Sequence, residues 1–156
     1  MKKFFFLLIV CAMTLIACQP TPIYSKFHTI PTSGWHQDSL LLHEVTVIDS
    51  ATAYEVLIVV RHNMHYPYQN LWLFIEEYVD NLCIHRDTIE ATLADDYGRW
   101  LGKGNNRYTL PLIYNNSHRF ANTGNHTISI QHGMRAEWLE GITDIGLIIK
   151  ISDGKK

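Results

Sequence analysis

The sequence predicts an all-β domain built as an antiparallel β-sandwich, with the jelly roll as the neighbouring alternative. Short segments rich in β-branched and aromatic residues recur about every ten residues, and Gly, Asn, Pro or Asp separate them. Residues 127–131 alternate between polar and apolar side chains, which is typical of a strand with one solvated face. Residues 56–60 are continuously apolar, which favours a strand covered on both faces at the centre of a sheet.

Seven strands and their turns account for most of the chain. The predicted strands cover 39–48, 53–62, 70–78, 82–91, 107–114, 126–132 and 142–151. Turns are expected where Gly, Pro, Asn, Asp or Ser cluster, at 49–50, 63–67, 102–106, 115–116 and 123–125. Residues 93–101 fit one or two helical turns before the glycines, and no other segment of the mature chain has a helical pattern.

The length and composition indicate a single packed domain. The chain has 156 residues, of which 47% are apolar and 18% are charged, so it can bury a core and is not globally disordered. The formal net charge is −2, and no basic field is present to bind a phosphate backbone. We therefore expect no nucleic-acid partner and no electrostatic adhesion to anionic lipid head groups.

The N-terminus resembles a bacterial lipoprotein leader. Lys2 and Lys3 precede an apolar run over 4–16, which is shorter than the roughly 20 residues that a membrane-spanning helix needs but suits a signal peptide. The run ends in Leu-Ile-Ala-Cys, which resembles the lipobox, so we expect residues 1–17 to be a lipoprotein signal peptide and Cys18 to carry lipid. A plain secretory signal with a chance cysteine is the alternative.

The residues after the leader set the expected boundaries and compartment. Residues 18–24 contain two prolines and would form a short extended tether, with a single folded domain over 25–152. Cleavage before Cys18 leaves Cys83 as the remaining free thiol, so no disulfide can form within the mature chain. Gln19 is not the aspartate that retains enterobacterial lipoproteins at the inner membrane, and an acidic surface-export cluster is absent. We expect an outer-membrane protein that faces the periplasm.

No catalytic, metal or cofactor site is predicted. Nine histidines are present, but His62 and His65 lie in a loop, and no HExxH or CxxC spacing occurs. The glycines over 102–104 fit neither a dinucleotide fingerprint nor a P-loop, because both require a following helix. The chain also lacks a GxSxG nucleophile elbow, so we expect a protein without enzymatic activity.

Two loops combine aromatic side chains with an arginine, and we predict that they bind a partner. The residues concerned are Arg61, Tyr66 and Tyr68 in the loop over 61–70, and Arg99 and Trp100 in the glycine-bounded segment over 98–104. Tyrosine, tryptophan and arginine dominate binding hot spots. We expect Tyr66 and Tyr68 to be exposed, and the two loops to converge at one end of the sandwich. The alternative is that these rings plug the core.

Three hydroxyl residues are candidates for O-glycosylation. Ser39, Ser50 and Thr88 each follow an aspartate and precede an aliphatic residue, which resembles the acceptor motif of Bacteroidetes O-glycosylation. The alternative is that these positions are strand edges that open after aspartate turn residues.

A set of motifs in a fixed order resembles the gliding motility lipoprotein GldH family of Bacteroidetes. The motifs are Arg61 followed by 66–73, the segments 87–89 and 93–95, the glycine-bounded segment 98–104, Met134 with Arg135, and the tail over 139–146. The resemblance extends over nearly the whole mature chain. It implies an outer-membrane-associated lipoprotein needed for gliding, in a phylum where that machinery overlaps the type IX secretion system. The family offers no catalytic residues to carry over.

Two classes of function follow. The first is a non-catalytic module that docks other envelope or motility proteins. The alternative is a carbohydrate-binding module, because β-sandwiches with exposed aromatic residues commonly bind glycans. A row of exposed aromatic residues on one sheet face would favour a glycan, and a patch that mixes aromatic residues with an arginine would favour a protein.

Overall fold

Ten strands and no helix run through residues 21–154, the part of the chain that the computed structural model describes. The strands are β1 (Tyr24–Thr29), β2 (Trp35–His36), β3 (Leu41–Val47), β4 (Tyr54–Asn63), β5 (Asn70–Val79), β6 (Leu82–Thr92), β7 (Arg107–His118), β8 (Gly124–His132), β9 (Trp138–Leu139) and β10 (Ile142–Ile151). The predicted signal peptide and the predicted lipid site at Cys18 lie outside the described residues. Nothing in residues 21–154 forms a helix of the length and apolar character that crossing a membrane requires.

Two four-stranded antiparallel sheets form the sandwich. The first sheet has the strand order β1-β10-β4-β7, and the second has the order β3-β8-β5-β6. β2 and β9 pair as a short two-stranded sheet, in which Trp35 lies opposite Leu139. The antiparallel β-sandwich that the sequence predicts is confirmed.

The core lies between the inner faces of the two sheets. On β3, buried residues alternate with exposed ones along the whole strand, so Leu41, Val45 and Val47 face inward. β4 lies between β10 and β7, and its neighbouring residues Ile58 and Val59 are both buried although they point to opposite faces. The apolar run over 56–60 is therefore a central strand, as predicted.

All seven predicted strands are present. The structure differs from the prediction in having three further strands and in two local features. Strands β1, β2 and β9 are additional. The pair at 115–116, expected to form a turn, lies inside β7 where its pairing with β4 shifts register. β1 also begins at Tyr24, one residue before the predicted start of the folded domain.

Residues 93–101 form an irregular loop, so the expected helical turns are wrong. The Asp95 carboxylate accepts hydrogen bonds from the backbone N–H groups of Tyr97 and Arg99, at 3.0 and 2.9 Å. The Leu101 N–H donates to the Leu93 carbonyl at 2.8 Å, which brings the chain back on itself. Aspartate side chains that bind nearby N–H groups in this way compete with helical hydrogen bonding.

The strands define two ends of the sandwich. The tether end is where the described chain begins, and there the first residue of β4, Tyr54, pairs with the last residue of β10, Ile151. Its loops are 48–53, 80–81 and 119–123. The opposite, distal end holds the loops 64–69, 93–106 and 133–137. β4 has 10 residues at about 3.3 Å each, so the two ends lie about 30 Å apart.

Candidate functional site

The two predicted loops meet at the distal end around His62. The His62 ring is buried and contacts the Trp100 ring edge to face, with the ring centroids 4.4 Å apart. The Tyr108 ring stacks on His62 at a centroid distance of 5.4 Å. The backbone links the same loops, because the Gln69 carbonyl accepts a hydrogen bond from the Leu93 N–H at 2.7 Å. The structure thus brings the two loops together, as the sequence predicts.

Tyr66 is a core residue, so the expectation that it would be exposed is wrong. Only 2% of its surface is accessible, and its hydroxyl donates a hydrogen bond to the Asn70 carbonyl at 2.7 Å. Gly141 has a φ of 85° and lies against the Tyr66 backbone, where any side chain would overlap it. Burial raises the pKa of Tyr66 above its usual range. A buried ring with a satisfied hydroxyl stabilises the loop and offers no surface to a partner.

Trp100 and Arg99 are neighbours in the second loop but lie in different environments. Trp100 is half-buried, because its ring closes over His62. Arg99 is exposed, and its Nε donates to the Asp95 carboxylate at 2.7 Å. The Arg99 backbone N–H and then its side chain hold the pKa of Asp95 below its usual value. The Arg99 side chain is therefore held by an ion pair within its own loop.

Arg61 lies on a different surface from the distal loops. Its guanidinium carbon is 4.0 Å from the centroid of the Phe27 ring, on the outer face of the first sheet. Gly146 makes room for that ring, because a Cβ atom at this position would overlap it. The contact is a cation–π pair that spans three strands, β1, β10 and β4.

An open groove lies on the outer face of the second sheet at the distal end. Its volume is about 490 Å³, and its lining residues are Tyr68, Asn70, Trp72, Gly133, Met134 and Arg135. Tyr68 and Trp72 are 40% and 38% exposed, so both rings can reach a bound molecule. Of the five predicted partner-binding residues, Tyr68 is the one that lines this groove.

The groove is held by contacts between the end of β8 and the start of β5. The Gly133 N–H donates to the Trp72 carbonyl at 2.7 Å, and the Trp72 N–H donates to Met134 Sδ at 3.4 Å. The Phe74 ring packs over Gly133, where a Cβ atom would lie 2.9 Å from the end of the ring. On the other side, the Asn70 side chain donates to the Glu90 carboxylate. The groove thus joins two strand residues, Asn70 and Trp72, to loop residues 133–135 that are hydrogen-bonded to them, which lowers the ordering cost of binding.

Sequence reasoning did not identify Trp72, Met134 and Arg135 as binding residues. Two signals in the sequence pointed to them. Trp72 follows the buried Leu71 in a strand, so alternation places it on the outer face. Met134 and Arg135 belong to one of the motifs that carry the family resemblance, although they lie about sixty residues after Trp72 in the chain.

A buried carboxylate and two histidines form a polar cluster near the tether end. Glu77 Oε1 and His126 Nδ1 lie 2.8 Å apart, and His118 Nε2 lies 3.4 Å from Glu77 Oε2. Burial by itself would raise the pKa of Glu77, but the hydrogen bonds from His118 and His126 outweigh it and lower the pKa. Among residues 21–154, no group of three or more His, Cys, Asp or Glu side chains is arranged to hold a metal ion.

The three candidate O-glycosylation residues differ in accessibility. Ser39 and Thr88 are exposed, and Thr88 lies on β6, an edge strand of the second sheet. Ser50 is half-buried in the turn that Asp49 stabilises by accepting a hydrogen bond from the Ala51 N–H at 2.8 Å. Modification of Ser39 and Thr88 is therefore sterically easier than modification of Ser50.

These features define an antiparallel β-sandwich with an aromatic groove at its distal end. Residues 22–149 match the family described as GldH lipoprotein, so the chain belongs to that family. It is 33% identical over 156 residues to the gliding motility lipoprotein GldH homolog of Christiangramia forsetii, covering 95% of each chain. It is 28% identical over 155 residues to the gliding motility lipoprotein GldH of Flavobacterium johnsoniae, covering 94% of this chain and 96% of that protein. The chain is a motility-associated lipoprotein.

Solved structures align with the chain only at low similarity. A mitogen derived from Yersinia pseudotuberculosis gives a TM-score of 0.37 and 14% identity, covering 88% of this chain and 92% of the mitogen. The Eiger TNF of S. frugiperda gives a TM-score of 0.34 and 11% identity, covering 87% of this chain and 97% of that protein. Neither likeness bears on function.

Proposed function

We propose that this lipoprotein is a non-catalytic protein-interaction module of the gliding motility and type IX secretion-associated apparatus, and that the groove is its docking surface. The observation that carries the proposal is the composition of the groove, which joins exposed Tyr68 and Trp72 to Met134 and Arg135. Aromatic residues, methionine and arginine are the residue types enriched at protein interfaces. A partner would insert an apolar side chain between the rings.

Arg135 gives the groove a charge preference. None of the ion pairs within residues 21–154 involves Arg135, whereas Arg86, on the same sheet, is paired with Glu76 at 2.9 Å. A guanidinium without a carboxylate at the edge of an apolar groove favours a partner that places an acidic residue beside its apolar anchor.

The membrane attachment that goes with this role is lipidation of Cys18, with the domain on the periplasmic side of the outer membrane. The lipobox-like leader and the GldH lipoprotein family support this attachment. Palmitate labelling of the wild type and of Cys18→Ala tests it. We expect the variant to lose both its label and its membrane fraction, and equal labelling of the two proteins would contradict lipidation at this residue.

A carbohydrate-binding role is the alternative, because one observation favours it. Trp72 and Phe74 project from the same face of β5, and both rings are partly exposed. Exposed aromatic rings on a sheet can stack on sugar rings. The presence of Met134 and Arg135 beside Trp72 favours a protein over a glycan, since neither residue contributes to stacking of that kind.

The docking proposal is tested with Tyr68→Ala/Arg135→Ala in the full-length lipidated protein, expressed in the native bacterium in place of the wild type. Partners are captured by chemical cross-linking in intact envelopes and quantified by mass spectrometry. Because both side chains are exposed, we expect the melting temperature to change by no more than about 2–4 °C. We expect the yield of the cross-linked partner to fall at least tenfold.

A matched control is Lys103→Ala/Ile113→Ala, which removes one cation and one large exposed side chain at other sites. We expect this variant to capture the partner at the wild-type level. An unchanged yield with the groove variant, or an equal loss with the control, would contradict docking at the groove. Loss of a cross-linked glycan with full retention of protein partners would support the carbohydrate alternative.

A further inference from the structure

Four aliphatic side chains project into solvent at the tether end of the sandwich. They are Ile23, Ile48, Leu82 and Ile151. Ile48 is 83% exposed and Leu82 is 68% exposed, which is a high exposure for aliphatic side chains of this size. The four residues come from four separate parts of the chain, and we call them the aliphatic rim.

The fold places each member of the aliphatic rim at the same end. The Ile23 N–H donates to the Ile149 carbonyl at 2.8 Å, which fixes Ile23 beside the end of β10, where Ile151 is the last strand residue. Ile48 directly follows β3.

Leu82 follows the two-residue turn formed by Asp80 and Asn81. Their φ angles of 48° and 65° give the tight hairpin turn that matches the twist of paired strands. This turn lies at the tether end of the second sheet, so it presents Leu82 on the same side of the domain as the other three residues.

The two ends of the sandwich expose different kinds of apolar residue. The distal end exposes a mixture of residue types that is typical of protein interfaces: the rings of Tyr68, Tyr97 and Trp138, the apolar side chains of Met64 and Leu101, and the arginines Arg99 and Arg135. At the tether end, the exposed large apolar side chains among the described residues are isoleucine and leucine. Purely aliphatic side chains gain most from transfer into hydrocarbon and have no polar group to satisfy there.

The position of the predicted lipid site indicates that the membrane covers the aliphatic rim. Cys18 precedes Thr21, the first described residue, by three positions, and three residues span at most about 11 Å. A lipid chain on Cys18 would therefore hold the tether end within about 11 Å of the membrane surface. No other end of the domain can approach the bilayer as closely on so short a tether.

We propose that the aliphatic rim is a membrane-contacting surface whose side chains enter the interfacial layer of the bilayer. The inference rests on the proposed lipidation of Cys18. The loops at this end carry two exposed aspartates, Asp49 and Asp80, and one exposed arginine, Arg119, so their charge is slightly negative. This charge suits the surface to zwitterionic lipid. Contact through four points on one end fixes the orientation of the domain, and it keeps the groove at the distal end, which lies about 30 Å from the tether end.

The test measures how deeply labels at each end enter a bilayer. In full-length lipidated protein carrying Cys83→Ser, single cysteines replace Ile48, Leu82, Met64 or Tyr97 and are labelled with an environment-sensitive fluorophore. The proteins are reconstituted in phosphatidylcholine vesicles that contain doxyl-labelled lipid as a quencher. We expect quenching at positions 48 and 82 to be at least twice that at positions 64 and 97. Equal quenching at both ends would overturn the proposal.

A second set of variants separates contact through the aliphatic rim from the effect of the tether alone. In the protein labelled at position 48, the change Ile23→Asn/Ile151→Asn should reduce quenching at least twofold, and Met64→Asn/Leu101→Asn should leave it unchanged. Unchanged quenching in Ile23→Asn/Ile151→Asn would show that the tether alone sets the distance from the bilayer. An equal reduction in both double variants would show a non-specific effect. Either result overturns the proposal.

The intact mass of each protein is measured first, so that failure of lipidation is distinguished from failure of the surface. A chain without lipid refutes the anchoring itself. An acylated chain with equal quenching at both ends refutes the membrane-contacting surface alone.

Discussion

The edge-to-face contact between His62 and Trp100, with ring centroids 4.4 Å apart, joins two loops that are nearly forty residues apart in the chain. His62 also contacts Tyr66 at a centroid distance of 5.9 Å and stacks on Tyr108. Burial lowers the pKa of His62, so the ring is neutral and packs as one more aromatic side chain. The distal end is therefore held by a small aromatic core, and the groove is built beside it.

Tyr66 should contribute to stability and not to partner capture. Tyr66→Ala empties a buried aromatic site, and we expect it to lower the free energy of unfolding by about 3–5 kcal/mol. Tyr66→Phe keeps the ring but leaves the Asn70 carbonyl without its donor, so we expect a loss of about 1–2 kcal/mol. Denaturant unfolding measures both. A loss below 1 kcal/mol for Tyr66→Ala would show that the ring is not part of the core.

The strands that the sequence predicts are those with strong local patterns. β3 alternates apolar and polar residues, and β4 carries a continuous apolar run, so both are visible without tertiary information. The sequence does not predict β1, because its residues are mostly polar and it lies at the edge of its sheet. β2 and β9 have two residues each, which is too short for any periodicity.

The residues that line the groove were predictable only in part, because the groove depends on strand register. Tyr68 is visible as an aromatic residue in a loop, but Met134 and Arg135 reach it only through the pairing of β5 with β8. The burial of Tyr66 depends on Gly141, which lies seventy-five positions later and leaves room for the Tyr66 backbone. The contact between Tyr66 and Gly141 has no signature in a single sequence.

Gly146 should be energetically coupled to Phe27. In Gly146→Ala the new methyl group meets the Phe27 ring, so the ring and its contact with Arg61 must shift. We expect a loss of about 1–3 kcal/mol in the free energy of unfolding, the usual cost of overpacking. In a Phe27→Ala background the same change should cost much less, because the obstructing ring is absent. Equal costs in the two backgrounds would contradict the coupling.

The mass of the natively expressed protein tests O-glycosylation at Ser39, Ser50 and Thr88. The exposed positions Ser39 and Thr88 should carry glycan, whereas Ser50 is half-buried and should be modified less. We expect the intact mass to exceed that of the polypeptide plus lipid, and Ser39→Ala/Thr88→Ala to remove most of the excess. A mass equal to polypeptide plus lipid would refute modification at all three residues.

Acid should destabilise the fold through buried neutral histidines, and His43 should show the effect most clearly. His43 is fully buried, and its Nδ1 lies 3.2 Å from the Tyr24 hydroxyl. Burial, with smaller contributions from His28 and Lys26, lowers the pKa of His43 from 6.5 to about 3. Between these two values the unfolded chain binds a proton that the folded chain does not, so stability is complete above pH 6.5 and falls as the pH drops towards 3.

At pH 5 the loss attributable to His43 should be about 1–2 kcal/mol relative to pH 7.5. The variant His43→Gln keeps a polar side chain of similar size but cannot titrate, so it should lose less stability than the wild type between these two pH values. His132 is also buried with a lowered pKa, and it leaves a residual dependence on pH in the variant. The comparison uses the change with pH in each protein, so a general destabilisation by the substitution does not affect it. If His43→Gln and the wild type lose the same free energy of unfolding from pH 7.5 to pH 5, then His43 is not the group that makes the fold sensitive to acid.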